Sequence, residues 1–152
     1  MEIQLIGNNM DRQELSSILR EHRSNNGVLI KRICAQMDAG ANIVNRLERA
    51  LFNYNCNTWI AYMDAIGTIA QLSLGKRVIH INSTEDIVEF IKTLRTEKEM
   101  SQREFGTKCN ISHITVANIE RGQTRVTIDV FLAIINAFGY ELQILDKVTT
   151  NN

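Results

Sequence analysis

Met100-Ser-Gln-Arg-Glu-Phe-Gly-Thr-Lys-Cys-Asn-Ile-Ser-His-Ile-Thr-Val-Ala-Asn-Ile-Glu-Arg-Gly122 is the stretch on which the reading of this chain turns. Ser101 followed three residues later by Glu104 is a capping box, each side chain accepting from a backbone N–H that the helix start leaves free. Phe105 and Cys109 then lie one turn apart on the inward face of a short helix. Asn110 tolerates the left-handed backbone that stops a helix sharply. Ser112 caps again only three residues after Cys109, and a further helix runs through Arg121 until Gly122 closes it. The small Gly106 stands where the two helices cross.

Two short helices joined by a turn of three or four residues form the helix-turn-helix arrangement, and the flanks extend it. Upstream, Ser83-Thr-Glu-Asp86 opens a helix with a capping hydroxyl and two acids at the positive end of the dipole. Ile87, Phe90, Ile91 and Leu94 follow at the spacing of one apolar stripe, which carries that helix to about Lys98. Downstream, Thr127 caps a fourth helix whose stripe is Ile128, Phe131, Leu132 and Ile135, ending at Gly139.

In these features the chain resembles the XRE family, the lambda-repressor/Cro-like helix-turn-helix. The matching residues are Ser101-Gln102 opening the second helix, Gly106 at the close contact, Ile111-Ser112 at the turn, and Val116 with Ile119-Glu120-Arg121-Gly122 closing the third. Ala137-Phe-Gly-Tyr-Glu-Leu-Gln143 resembles the family's exit into a strand. The likeness runs without a gap over about residues 84–145.

The resemblance implies major-groove insertion of the third helix, with base edges read from its N-terminal side chains. The reading positions fall on His113, Ile114, Thr115 and Asn118. Asn pairs with adenine in bidentate fashion, His donates to or accepts from guanine, and the Thr and Ile methyls meet the thymine methyl. Phosphate contacts are expected from Gln102, Arg103, Arg121, Gln123, Thr124 and Arg125. Glu120 reads as structural, holding its helix against its neighbours, whereas Arg121 stands between a structural and a phosphate role, and Ile114 is equally consistent with an incidental exposed side chain.

Sliding the sequence against itself by 72 residues aligns Leu47-Glu48-Arg49 with Ile119-Glu120-Arg121. The same shift pairs Arg23 with Arg95, Ile33 with Phe105, Val44 with Val116, Trp59 with Phe131 and Gly67 with Gly139. Identities are few, yet the apolar slots coincide from about Arg12 to Leu72, as in a degenerate internal repeat. That first copy departs from the pattern at telling places: Ile30 takes the Gln slot, Cys34 the small crossing slot and Ala50 the closing Gly. Its reading slots hold Ala41, Asn42, Ile43 and Arg46. Asn42 and Arg46 are candidates for base contacts, with Lys31 and Arg32 as point charges on phosphate; the competing reading is a scaffold or protein-binding surface.

Met1–Ile6, Thr68–Leu74, Arg77–Ile81 and Tyr140–Leu145 alternate as half-buried strands. The expected fold is mainly α with short β strands: two lambda-repressor-like units in tandem, their four strands pairing into one small central sheet, an intramolecular pseudo-dimer. The expected domains are 1–75, the degenerate unit, and 76–147, the clear one, with 148–152 a disordered tail.

Composition bounds the function. The 152 residues carry no proline, and no apolar run approaches the roughly 20 residues of a bilayer-spanning helix. Met1-Glu-Ile-Gln-Leu-Ile6 lacks the basic start of a signal peptide. Cys34, Cys56 and Cys109 are odd in number and lack C-x-x-C spacing, so neither a zinc ribbon nor a disulfide framework is expected and a reducing cytoplasm is. Cys34, Cys109 and Trp59 read as core residues. His22 and His80 have no partners at ligand spacing, so neither metal nor cofactor is expected, and no motif supports an enzyme. Net charge is zero, but residues 12–49 carry a net +3 and residues 99–125 a net +1. Acids at Glu85–Glu89, Asp64, Asp129, Glu141 and Asp146 are expected away from the groove face. A modest non-specific electrostatic contribution follows, so binding leans on base contacts or on the second copy.

The function these readings support is a cytoplasmic transcriptional regulator, bacterial or phage-derived by resemblance, with double-stranded DNA as partner and no membrane role. It binds as the pseudo-dimer or as a homodimer. The alternative is a protein-interaction module, such as the antitoxin-like partner of a toxin, with DNA binding secondary or lost.

Overall fold

Eight helices and a three-stranded antiparallel sheet make up the described residues, 9–147, of the computed structural model. In chain order they are α1 (Arg12–Asn25), α2 (Ile30–Met37), α3 (Ala41–Glu48), α4 (Cys56–Ile66), β1 (Thr68–Leu74), β2 (Arg77–Ile81), α5 (Thr84–Glu97), α6 (Gln102–Cys109), α7 (His113–Glu120), α8 (Ile128–Ala137) and β3 (Glu141–Asp146). Adding 72 to the bounds of α1, α2 and α3 gives the bounds of α5, α6 and α7.

Local chemistry sets these boundaries. Asp11, Asn55, Ser83, Ser101, Ser112 and Thr127 each accept from a backbone N–H in the first turn of the helix they precede. Ser101 and Glu104 make the complete capping box. α2 and α3 start instead at Leu29 and Gly40, with no side-chain cap. Left-handed residues end the helical segments at Gly27, Asp38, Ala50 and Gly67, and again 72 positions later at Glu99, Asn110, Gly122 and Gly139.

The strand order is β2-β1-β3. A fourth strand was expected from Met1–Ile6; that segment, like the expected tail at 148–152, lies outside the described residues. The helix capped by Thr127, α8, ends at Ala137, with Phe138 as its cap, rather than at Gly139. β1 and β3 pair with Gln71 opposite Gln143, and the Gln71 amide donates to the Gln143 carbonyl at 3.2 Å. A second cross-connection forms at Asn55 and Thr127: Cys56 N donates to Val126 O at 2.7 Å and Ile128 N to Tyr54 O at 2.8 Å. The Trp59 and Phe131 rings meet at 5.4 Å between centroids. At each of these three places a residue meets the one 72 positions further along.

The apolar stripes of all eight helices converge on one continuous core, from Leu15, Leu19 and Ile33 to Ile91, Phe105 and Ile135. Trp59 is fully buried, which at about 25 cal/mol per Å2 of apolar surface contributes on the order of 5 kcal/mol. The Cys109 thiol is buried as expected and that of Cys56 is buried too, and burial raises both above the ordinary range, Cys109 to about 11. Cys34 is only half-buried. No helix among the described residues is long and apolar enough to cross a membrane.

Candidate nucleic-acid interface

The approach of α6 to the following turn depends on Gly106. A Cβ at that position would sit 2.6 Å from the Ile111 carbonyl oxygen and 3.2 Å from His113 N, both backbone atoms that cannot swing aside. The bare Cα lets Ile111 N donate to Gly106 O at 2.8 Å, and the chain then enters α7 directly. Val116 and Ile119 anchor α7 in the core. Its remaining face is presented outward, with Ile114 60 % exposed and His113, Thr115 and Asn118 half-buried around it.

A carboxylate clamp fixes the far end of α7. Arg95 donates to Glu120 through Nε at 2.6 Å and Nη2 at 2.9 Å, and through Nη1 to the Met100 carbonyl at 2.9 Å. Gln102 adds a donation to Glu120 at 3.1 Å. Burial opposes ionisation of Glu120, but the hydrogen bonds from Arg95 and Gln102 outweigh it and hold the carboxyl below its usual range. Glu120 is therefore the structural member that the sequence suggested. One amide proton of Gln102 is engaged inward.

Arg103, Arg121, Gln123, Thr124 and Arg125 are exposed around the two ends of this unit. Arg121 Nη2 donates to the Asn118 side-chain oxygen at 2.7 Å, one turn back on the same face. A cleft of about 470 Å3 lies beside them, lined by Arg121, Gly122, Thr124 and Arg125 but also by Glu85 and Glu89. This corrects the expectation that Glu85–Glu89 stands clear of the candidate interface. The α5 positions of both acids point into the same cleft as the phosphate candidates, because they occur four residues apart and so share a helix face.

The first unit has the same frame. Arg23 grips Glu48 at 2.5 and 3.2 Å and donates to the Val28 carbonyl at 3.2 Å. Tyr62 OH, from α4, donates to Glu48 at 2.5 Å in the place that Gln102 fills for Glu120. Burial, and then the bond to Glu48, push the Tyr62 hydroxyl well above its ordinary range. Nothing in the local sequence marked Tyr62, since its partner is 14 residues away on another helix. Lys31, Arg32, Asn42 and Arg46 are all exposed, and the Arg46 guanidinium lies 5.3 Å above the Phe52 ring. Leu29 and Leu51, exposed by 71 % and 54 %, were not singled out in the sequence. His22 pairs at the surface with Asp146 at 3.1 Å. Among the described residues no cluster of three or more His, Cys, Asp or Glu side chains is placed to hold a metal.

Residues 91–145 match the family model described as Helix-turn-helix. No curated protein matches the chain, and no solved structure does.

Proposed function

We propose that the protein is a sequence-specific transcriptional regulator of the XRE-type helix-turn-helix kind that lays α7 in the major groove, a reading supported by the match of residues 91–145 to the helix-turn-helix family model. The exposed crest of α7 carries this reading: His113, Ile114, Thr115 and Asn118 project from a helix whose other face is sealed in the core and whose ends are pinned. In that role they meet base edges. Gln102, Arg103, Arg121, Gln123, Thr124 and Arg125 approach phosphates and set the register. With Arg121 bonded to its oxygen, Asn118 is held in one rotamer before DNA arrives, which lowers the ordering cost of a bidentate contact.

The same proposal takes the first unit as a degenerate copy of the second, the two forming a pseudo-dimer within one chain. The spacing of helix bounds, left-handed caps and Arg–Glu clamps by 72 residues supports it, as do the meetings of Gln71 with Gln143 and Trp59 with Phe131.

Selection of binding sites from random duplex DNA, with stoichiometry measured on the winning site, tests this function. One chain on a non-palindromic site is the expected result. If both units read bases, two unlike half-sites lie about 34 Å apart. A perfect palindrome holding two chains would overturn the pseudo-dimer, and absence of enrichment would overturn the DNA reading.

A further inference from the structure

Ser101, Thr115 and Gln123 of the second unit have Leu29, Ile43 and Leu51 as their counterparts 72 residues earlier. Each polar residue has an aliphatic counterpart. Leu29 is 71 % exposed, Leu51 54 % and Ile43 38 %. Their positions are tied together by one clamp, since Arg23 bonds both the Val28 carbonyl, next to Leu29, and Glu48, three residues before Leu51. Leu51 N in turn bonds the carbonyl of Arg46, one turn along α3 from Ile43. Three exposed aliphatic side chains held on one short frame mark an interaction surface rather than scattered apolar residues.

The rim is cationic. Lys31, Arg32, Arg46 and Arg49 are exposed, and none has an acidic partner within salt-bridge distance among the described residues. Between residues 29 and 52 the acids are Asp38 and Glu48, and Glu48 is buried under Arg23 and Tyr62. A second copy meeting this face symmetrically would set four cations against four, and like charges oppose closure. A DNA backbone satisfies the rim but not the centre, because Leu29 and Leu51 would desolvate phosphates without offering a hydrogen bond.

We propose that the exposed face of α2, α3 and the Leu51 loop docks an acidic, amphipathic polypeptide segment of a partner protein. Its apolar side chains would cover Leu29, Ile43 and Leu51 while its carboxylates meet Lys31, Arg32, Arg46 and Arg49, as a helix does in a groove. The chain then has two unlike faces, one for DNA and one for protein. This inference is independent of whether α7 reads DNA.

The test titrates the full-length, 15N-labelled chain with a synthetic helical peptide bearing Leu at i, i+3, i+4 and i+7 and Asp or Glu elsewhere. A control peptide replaces each Leu by Ser. The variant Leu29→Ser/Ile43→Thr/Leu51→Gln installs the polar types found 72 residues on, at exposed sites where folding is checked by its thermal midpoint. Expected are saturable amide shifts at residues 28–32, 41–46 and 49–52, at least tenfold weaker binding of the control peptide, and at least tenfold weaker peptide binding by the variant. Duplex affinity of the variant stays within twofold of the parent. Peptide shifts on α7, no saturable shifts, or equal binding of the two peptides would overturn the proposal. So would duplex DNA perturbing the same first-unit residues together with loss of duplex affinity in the variant, which would make this face a second reading head. Failure of the DNA reading appears separately, as no duplex binding by the parent chain.

Discussion

The first and second helix-turn-helix frames differ least where they are tied together inside and most where they face outward. Arg23–Glu48 and Arg95–Glu120 make the same bidentate clamp across 25 residues. The supporting donor differs, a core tyrosine in one and the surface Gln102 in the other. At the helix crossing the second unit requires Gly106, whereas the first accommodates Cys34. Outside, Ser101 and Gln123 face Leu29 and Leu51 across the same spacing. Packing thus holds the two frames alike, while their outward residues differ in chemistry.

The sharpest way to break the comparison is through the clamps. Arg23→Ala leaves a carboxylate in the core and should cost about 3–5 kcal/mol in urea unfolding. Arg95→Ala should cost less, about 2 kcal/mol, because each carboxylate keeps one further donor but Glu120 is more open to water than Glu48. A reversed order would show that the two clamps are not the same device. At the crossing, Gly106→Ala should lose roughly 1–3 kcal/mol through overlap with the Ile111 carbonyl. Cys34→Gly should cost only about 0.5–1 kcal/mol of helix propensity. Equal losses at the two positions would mean that the crossings are not equivalent.

Asn118 and Arg46 occupy corresponding positions and probe the outer faces. Asn118→Ala should cost on the order of 1–3 kcal/mol on the selected duplex and relax preference at one base pair, measured by competition titration. Arg46→Ala should leave that affinity within twofold. A comparable loss from Arg46 would assign base reading to the first unit as well. The closing residues should respond with opposite signs: Ala50 has φ +56° and Gly122 φ +70°. Ala50→Gly should raise stability by about 1 kcal/mol and Gly122→Ala lower it by a similar amount, read from thermal midpoints.

The smallest effect is on pH dependence. The Glu120 carboxyl titrates below its ordinary value of 4.5 in the folded chain. Its stabilisation is complete above that value and disappears as pH falls through the lower folded one. Urea midpoints of Glu120→Gln between pH 6 and pH 3 should therefore fall less steeply than those of the parent, and an unchanged slope would remove Glu120 from the acid response.

Local signals were legible in the sequence to the extent that one residue and its near neighbours decide a conformation. Ser101 with Glu104, Asn110, Gly106 and the stripe Ile87–Leu94 placed α5 to α7, because caps and helix periodicity act within a few residues. Tyr62 escaped notice because its partner comes from another helix, and the apolar surface at Leu29 and Leu51 because exposure is a property of the packed chain. Glu85 and Glu89 were readable as one helix face, but not as neighbours of Arg125. The first-unit helices were visible only through the 72-residue shift, since Leu29 and Ala50 replace the residues that announce a start and a stop.

The pairing of Gln71 with Gln143 bears on how the protein responds to its own abundance. β1 and β3 lie on one polypeptide, so they meet at an effective concentration of order millimolar however few molecules a cell contains. No monomer–dimer equilibrium precedes binding in the arrangement proposed above. Occupancy of a site then climbs hyperbolically with protein level rather than through a threshold, and the melting temperature is the same at every dilution. In that arrangement, joining the two halves would trade a switch-like dose response for a graded one.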